Sequence, residues 1–180
     1  ASANGIAFIT TWKTDNPGTS NSNQITIPTD SGFTYNYNIN WGDGNFDNGV
    51  TGNMTHTYAI AGTYQVTITG TFPKILFNNG GDKDKILSID QWGNTITWLS
   101  MDSSFFGCSN LTITAVDTPN LSSVTSMIYM FRGTDFSADL SAWNVSNVQY
   151  MIGVFQDASF NGNINSWNMS NVITTAAMFY

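Results

Sequence analysis

The chain has 180 residues, enough for one large domain or two small ones, and 41% of them are apolar, enough for a packed core. Twelve acidic residues, all Asp, against five Lys and Arg give a net charge of −7, which repels phosphate backbones and argues against nucleic-acid binding. No run approaches the roughly 18 apolar residues that a membrane span requires.

Polarity is carried mainly by Asn, Thr, Ser and Gly, which favour turns and strand surfaces over helices. The composition therefore predicts β structure with many loops. At the start, the small residues Ala1 and Ala3 suit the neighbourhood of a signal-peptidase cut, or equally a cloning remnant.

From Ile6 to about Pro73 the pattern has period two. Phe33, Tyr35, Tyr37, Ile39 and Trp41 fall on one face of "FTYNYNINW", and Tyr64, Val66 and Ile68 do so in "GTYQVTITG". Alternation over this length predicts antiparallel strands with one buried face. Between them, "WGDGNFDNG" supplies the Gly, Asp and Asn of tight turns.

His56 is the only histidine. A catalytic role needs a nucleophile and an orienting carboxylate, and no Gly-x-Ser-x-Gly elbow is present, so His56 is read as structural. Asp43 in its Gly-flanked turn is read as binding backbone amides. Calcium is the alternative at Asp43 and Asp47, because clustered Asp and Asn oxygens are hard-cation ligands, although EF-hand spacing is absent.

"NWGDG" and, later in the chain, "THTYAIAGTYQVTITG" resemble the PKD-type immunoglobulin-like sandwich over residues 5–72. That resemblance implies an extracellular spacer or binding module rather than an enzyme.

"FNNGGDKDKI" (77–86) joins the two halves and reads as a polar cap over the first apolar turn of the second half. Asp82 and Asp84 are further calcium candidates, with pairing to Lys83 and Lys85 the simpler reading.

The second half repeats itself. Phe131 to Phe155, Phe155 to Phe179, Trp143 to Trp167, Val148 to Val172 and Phe136 to Phe160 are each 24 residues apart. Phe106 to Phe131 and Leu111 to Phe136 are 25 apart, placing a diverged unit at about 96–120. A fixed period of this size predicts a solenoid. Within a unit, Val148, Met151, Ile152 and Phe155 form a helical stripe, and Ser146 with Gln149 a capping box, which predicts a short helix. Extended segments should then point Leu111, Ile113 and Ala115, Phe136, Ala138 and Leu140, and Phe160, Gly162 and Ile164 inward. Trp143 and Trp167 are expected to stack on one another.

"SIDQWG", "FFGCSNL", "SVTSMIYMF" and the two Trp-Asn-x-Ser-Asn-Val runs resemble the BspA-like leucine-rich-repeat family of bacterial surface proteins. The resemblance covers about residues 74–180 and implies a surface-anchored or secreted protein acting in adhesion and recognition. Cys108, inside "GCSNL", reads as a buried small hydrophobe and cannot form an internal disulfide. Five Asn-x-Ser/Thr sequons, from Asn53 to Asn168, arise from Asn-rich composition and predict no glycans.

Together these readings predict a mainly β chain with short helices: a sandwich over 1–73, a junction and cap over 74–95, and about three leucine-rich-repeat-like units with parallel strands over 96–180. Outward strand residues form two columns, Thr112, Ser137 and Asn161 beside Thr114, Asp139 and Asn163. The expected function is a non-catalytic, extracellular or cell-surface bacterial module that recognises protein or glycan through this polar face. No cofactor is expected beyond the calcium alternative. A structural stalk is the alternative, and a glycan-active enzyme a remoter one, since no carboxylate pair is recognisable. The last unit breaks off just after Phe179. A fragment of a longer repeat protein, or end-to-end self-association through that unit, is therefore expected.

Overall fold

The period-two segments become strands, and their alternation is visible as alternating burial. The computed structural model describes residues 5–180, so Ala1 and Ala3 lie outside the described residues. The strands are β1 (Phe8–Lys13), β2 (Gln24–Ile27), β3 (Asn36–Asn40), β4 (Phe46–Val50), β5 (Met54–Thr57), β6 (Thr63–Thr71), β7 (Ile86–Gln91) and β8 (Thr112–Ile113). β1 buries Phe8, Thr10 and Trp12 and turns the residues between them outward. Full burial of a side chain such as Phe8 contributes about 1.5–3 kcal/mol. Tyr35, Tyr37, Ile39 and Trp41 are buried together, as the alternation in "FTYNYNINW" requires.

Six strands form one mixed sheet in the order β4-β3-β6-β1-β7-β8, and β2 pairs with β5 in a separate two-stranded sheet. β1 is central, with Thr10 opposite Val66 of β6 on one side and Ile89 of β7 on the other, both antiparallel. β7 then pairs parallel with β8, Ser88 opposite Thr112 and Ile89 opposite Ile113. A single sheet thus runs from the first half through the junction into the repeats, and one continuous apolar core accompanies it. The turn between β3 and β4 depends on Gly42. Its φ is +82°, and a Cβ there would collide with the Gln65 carbonyl oxygen.

The structure corrects two expectations for the second half. Among the described residues there is no α-helix, and the units do not close into a solenoid with a continuous parallel sheet. Beyond β8, parallel pairing is reduced to isolated bridges, Thr97–Asn120, Ser126–Tyr150, Asp139–Asn163 and Tyr150–Thr174. The reason lies in the backbone amides. Met127, Tyr129, Phe131 and Gly133 donate sideways to the carbonyls of Tyr150, Ile152, Val154 and Gln156 in the next unit, at 2.9 Å each. Met151, Gly153, Phe155 and Asp157 repeat the pattern toward Thr174, Ala176, Met178 and Tyr180. An amide committed to its neighbour cannot serve an i→i−4 helix. Tyr129, Gly153 and Ala177, spaced 24 apart, also adopt φ of 56°, 57° and 53°, a left-handed turn that ends any right-handed helix.

The capping box dissolves for the same reason. Gln149 gives its amide to the Thr125 carbonyl, while the Ser146 amide donates to Asn144 Oδ1 in an Asx turn. The recurring Ser-Asn pair instead ties units together, Asn147 Nδ2 donating to the Ser122 carbonyl and Asn171 Nδ2 to that of Ser146.

The buried face carries a column of phenylalanine rings. Phe105, Phe131, Phe155 and Phe179 stack in order, with centroids 5.7, 6.0 and 5.5 Å apart and planes within 13°. Phe77 continues the column toward the junction and Trp12 packs against it. The ring above Phe131 is thus Phe105 rather than Phe106, so the first unit is two residues longer at this point. Phe106 lies outside the column, beneath the Arg132 guanidinium. The two tryptophans pack on phenylalanines, Trp143 on Phe131 and Trp167 on Phe155, in place of the expected mutual stack.

Candidate functional site

The six outward positions, Thr112, Thr114, Ser137, Asp139, Asn161 and Asn163, are all exposed, and their inward neighbours Leu111, Phe136 and Leu140 are buried. Thr112 Oγ1 donates to the Leu87 carbonyl at 3.1 Å, and Thr114 Oγ1 to Asp90 Oδ1 at 2.8 Å, which fixes both rotamers on the sheet. Asp139 and Asn163 face each other across a parallel bridge, and the Leu140 amide donates to the Asn163 carbonyl at 2.8 Å. Hydrogen bonds from the Ser141 hydroxyl and amide, with Asn163 adding to them, hold the Asp139 carboxyl below the usual carboxylate range. The face is therefore anionic at that point and otherwise built of neutral donors and acceptors.

Beside the columns lies a cleft of about 240 Å³ that the sequence pattern did not announce. Trp143, 4% exposed, lies at its base, Asp139 and Ala142 line one wall, and Val116, Asp117 and Thr118 line the other. Asp117 accepts from the Trp92 and Gly93 amides at 3.0 and 2.9 Å, so its loop is anchored to the sheet end. Val116 stands fully in solvent. A spacing difference signals it: Leu111 to Val124 is 13 residues, whereas Phe136 to Val148 and Phe160 to Val172 are 12. The surplus residue is extruded, and the extrusion forms the wall.

The four calcium candidates are kept apart and filled by protein donors. Asp43 Oδ2 lies 2.9 Å from His56 Nε2 and also accepts from Asn45 Nδ2. Asp47 accepts from the Trp41 indole at 2.7 Å. Asp82 is buried and accepts from the Ser20 amide, the Ser20 hydroxyl and the Thr26 amide. Asp84 meets Lys83 Nζ at 3.1 Å and the Ser109 hydroxyl. Among the described residues, no three His, Cys, Asp or Glu side chains are grouped to hold a metal. Cys108 is fully buried, and burial pushes its thiol up, away from nucleophilic ionisation.

His56 packs flat on Trp41, centroids 4.7 Å apart, with Tyr58 edge-on. Burial raises the Asp43 carboxyl, but hydrogen bonds from His56 and from the Asn45 side chain and amide outweigh it and bring the carboxyl down to about 2. Because the folded value lies below the ordinary 3.8, the stabilisation is present above that ordinary value and is lost as pH falls through about 2. Acid titration of unfolding free energy is expected to show a loss over this window that is smaller in Asp43→Asn by about 1 kcal/mol, solvent screening at this surface turn reducing the full effect.

Among the described residues, no helix is long and apolar enough to cross a membrane. No curated protein and no solved structure matches the chain significantly. The two resemblances drawn from the motifs are corrected. Nothing supports a PKD assignment: its turn and strand-entry motifs are local, and the strands that carry them belong to a sheet continuing into β7 and β8. Nor does any leucine-rich-repeat or BspA-like family match the repeat half, whose units are stacked turns. What the chain is similar to, over residues 99–180, is the family described as Mycoplasma protein of unknown function, DUF285.

Proposed function

We propose that the chain is a non-catalytic recognition module, secreted or held at a bacterial cell surface, that takes protein or glycan ligands on its polar repeat face. The observation that carries this reading is the exposure of all six column residues beside a Trp143-floored cleft. A rigid backing of stacked rings supports it, since pre-organised polar groups bind with less ordering cost. The repeat half is an open stack of turn-built units, a coil whose rungs shelter each other's apolar sides.

A glycan and protein array probed with the soluble chain tests the reading. Thr114→Lys, Asp139→Lys and Asn163→Lys together are expected to abolish binding of the array ligands that this face takes, with melting followed alongside because Thr114 and Asp139 also hydrogen-bond Asp90 and Ser141. Unchanged binding would remove this face from consideration. A structural stalk is the second reading, and the sheet and core running unbroken through both halves favour it. An empty array with an intact fold would select it.

A further inference from the structure

A second cavity lies away from the repeat face, framed by the β2–β3 loop and the β4–β5 loop. Its volume is about 520 Å³, within the roughly 300–1,000 Å³ typical of ligand pockets. Asp30, Ser31, Phe33, Tyr35, Thr51 and Asn53 line it. Neither loop contributes to the polar columns of the repeat face.

The polar groups here are held in place. Asp30 Oδ2 accepts from Lys74 Nζ at 2.9 Å, and the Lys74 side chain is only 7% exposed. Asp30 Oδ1 accepts from the Gly32 amide, and the Asp30 amide donates to the Tyr35 hydroxyl, which itself donates to the Lys74 carbonyl. Asn53 Oδ1 accepts both the amide and the hydroxyl of Thr29, at 2.7 and 2.8 Å. That fixes which end of the amide is which and leaves the Nδ2 donors without a protein acceptor among the described hydrogen bonds. Phe33 supplies a half-buried ring, with the Lys74 ammonium 5.6 Å from its centroid.

We infer that this cavity is a binding site for a neutral saccharide, one pyranose-sized ring lying with its C–H face on Phe33 and its hydroxyls on Asp30, Asn53, Ser31 and Thr51. The charge arrangement chooses the class. The Lys74 ammonium is buried and already paired, so a phosphate, sulfate or sialic acid would find no free positive partner in it, and the chain's net charge of −7 opposes anions further. Asp30, neutralised by Lys74, keeps lone pairs for vicinal hydroxyls without demanding a cation. An aromatic face with a few convergent, pre-positioned polar groups is the general form of a small-ligand site.

The test is a panel of neutral and sialylated oligosaccharides titrated into the intact chain, read by calorimetry and by backbone amide shifts. Neutral saccharides are expected to bind and to shift the amides of residues 29–33 and 51–53. Two variants separate site from fold: Phe33→Ala removes the ring, and Thr51→Trp, on an exposed rim, fills the cavity while leaving the core alone. Phe33→Ala is expected to weaken binding by about two- to tenfold, the range set by losing one stacked aromatic contact, and Thr51→Trp to block it by filling the space. The shifted amides place the bound sugar in this cavity rather than on the repeat face, so failure here and failure of the repeat face are told apart. No neutral saccharide shifting these amides, affinity unaltered in both cavity variants, or tighter binding of sialylated members would overturn the assignment.

Discussion

Replacing Phe131 by alanine is expected to lower the unfolding free energy by about 4 kcal/mol, the middle of the range for removing a buried aromatic. Phe131 is fully buried and meets four rings: Phe105 and Phe155 above and below, Phe136 edge-on and Trp143 at its side. Its loss leaves a void in the middle of the column, where relaxation would have to move two units at once. For a domain of this size the fall corresponds to roughly 10 °C in melting temperature. Phe179→Ala is the internal comparison. That ring is 61% exposed and covers Phe155 from one side only, so a loss of roughly 1 kcal/mol is expected. Calorimetry on both variants checks the ratio. Equal losses would mean that the column does not carry the stability of the stack.

The column also shows what the sequence could and could not reveal. A 24-residue period survives any local conformation, because it records only which residues face the core, so Phe131, Phe155 and Phe179 were legible from spacing. The conformation between them was not. Val148, Met151, Ile152 and Phe155 satisfy a helical stripe, yet a stacked turn that sends alternate amides to its neighbour buries Val148, Met151 and Phe155 and takes Val154 inside in place of the half-buried Ile152. Periodicity reports a face and leaves the hydrogen-bond partner open. The first unit was misaligned by one position because Phe105 and Phe106 are adjacent and equally apolar, and only the stack distinguishes them. The columns from Thr112 to Asn163 were legible through simple alternation. The Trp143 cleft was hidden in one surplus residue, and the Phe33 cavity in loops brought together by the pairing of β2 with β5 and of β3 with β4.

The junction holds the other large effect. Lys85 has no solvent exposure, and its ammonium is caged by the carbonyls of Ser20, Asn21 and Gln24 at 3.1, 2.8 and 2.9 Å, with the Ser20 hydroxyl at 2.7 Å. Asp82, also buried, lies 4.0 Å away and binds the same loop through Ser20 and Thr26. The two charges therefore clamp residues 20–26 to the chain just before β7. Lys85→Met is expected to cost about 3–5 kcal/mol, since it strands a buried carboxylate and three carbonyls that water cannot reach. Asp82→Asn alone should cost a similar amount, and the double variant clearly less than the sum, because each single change leaves the other charge uncompensated. Lys83→Ala, in the half-exposed pair with Asp84, should cost under about 1 kcal/mol. Urea unfolding of the four variants measures the coupling. Strict additivity of the Lys85 and Asp82 changes would show that the two charges act separately, and the loop would then be held by backbone hydrogen bonds such as that from the Tyr58 amide to the Asn23 carbonyl.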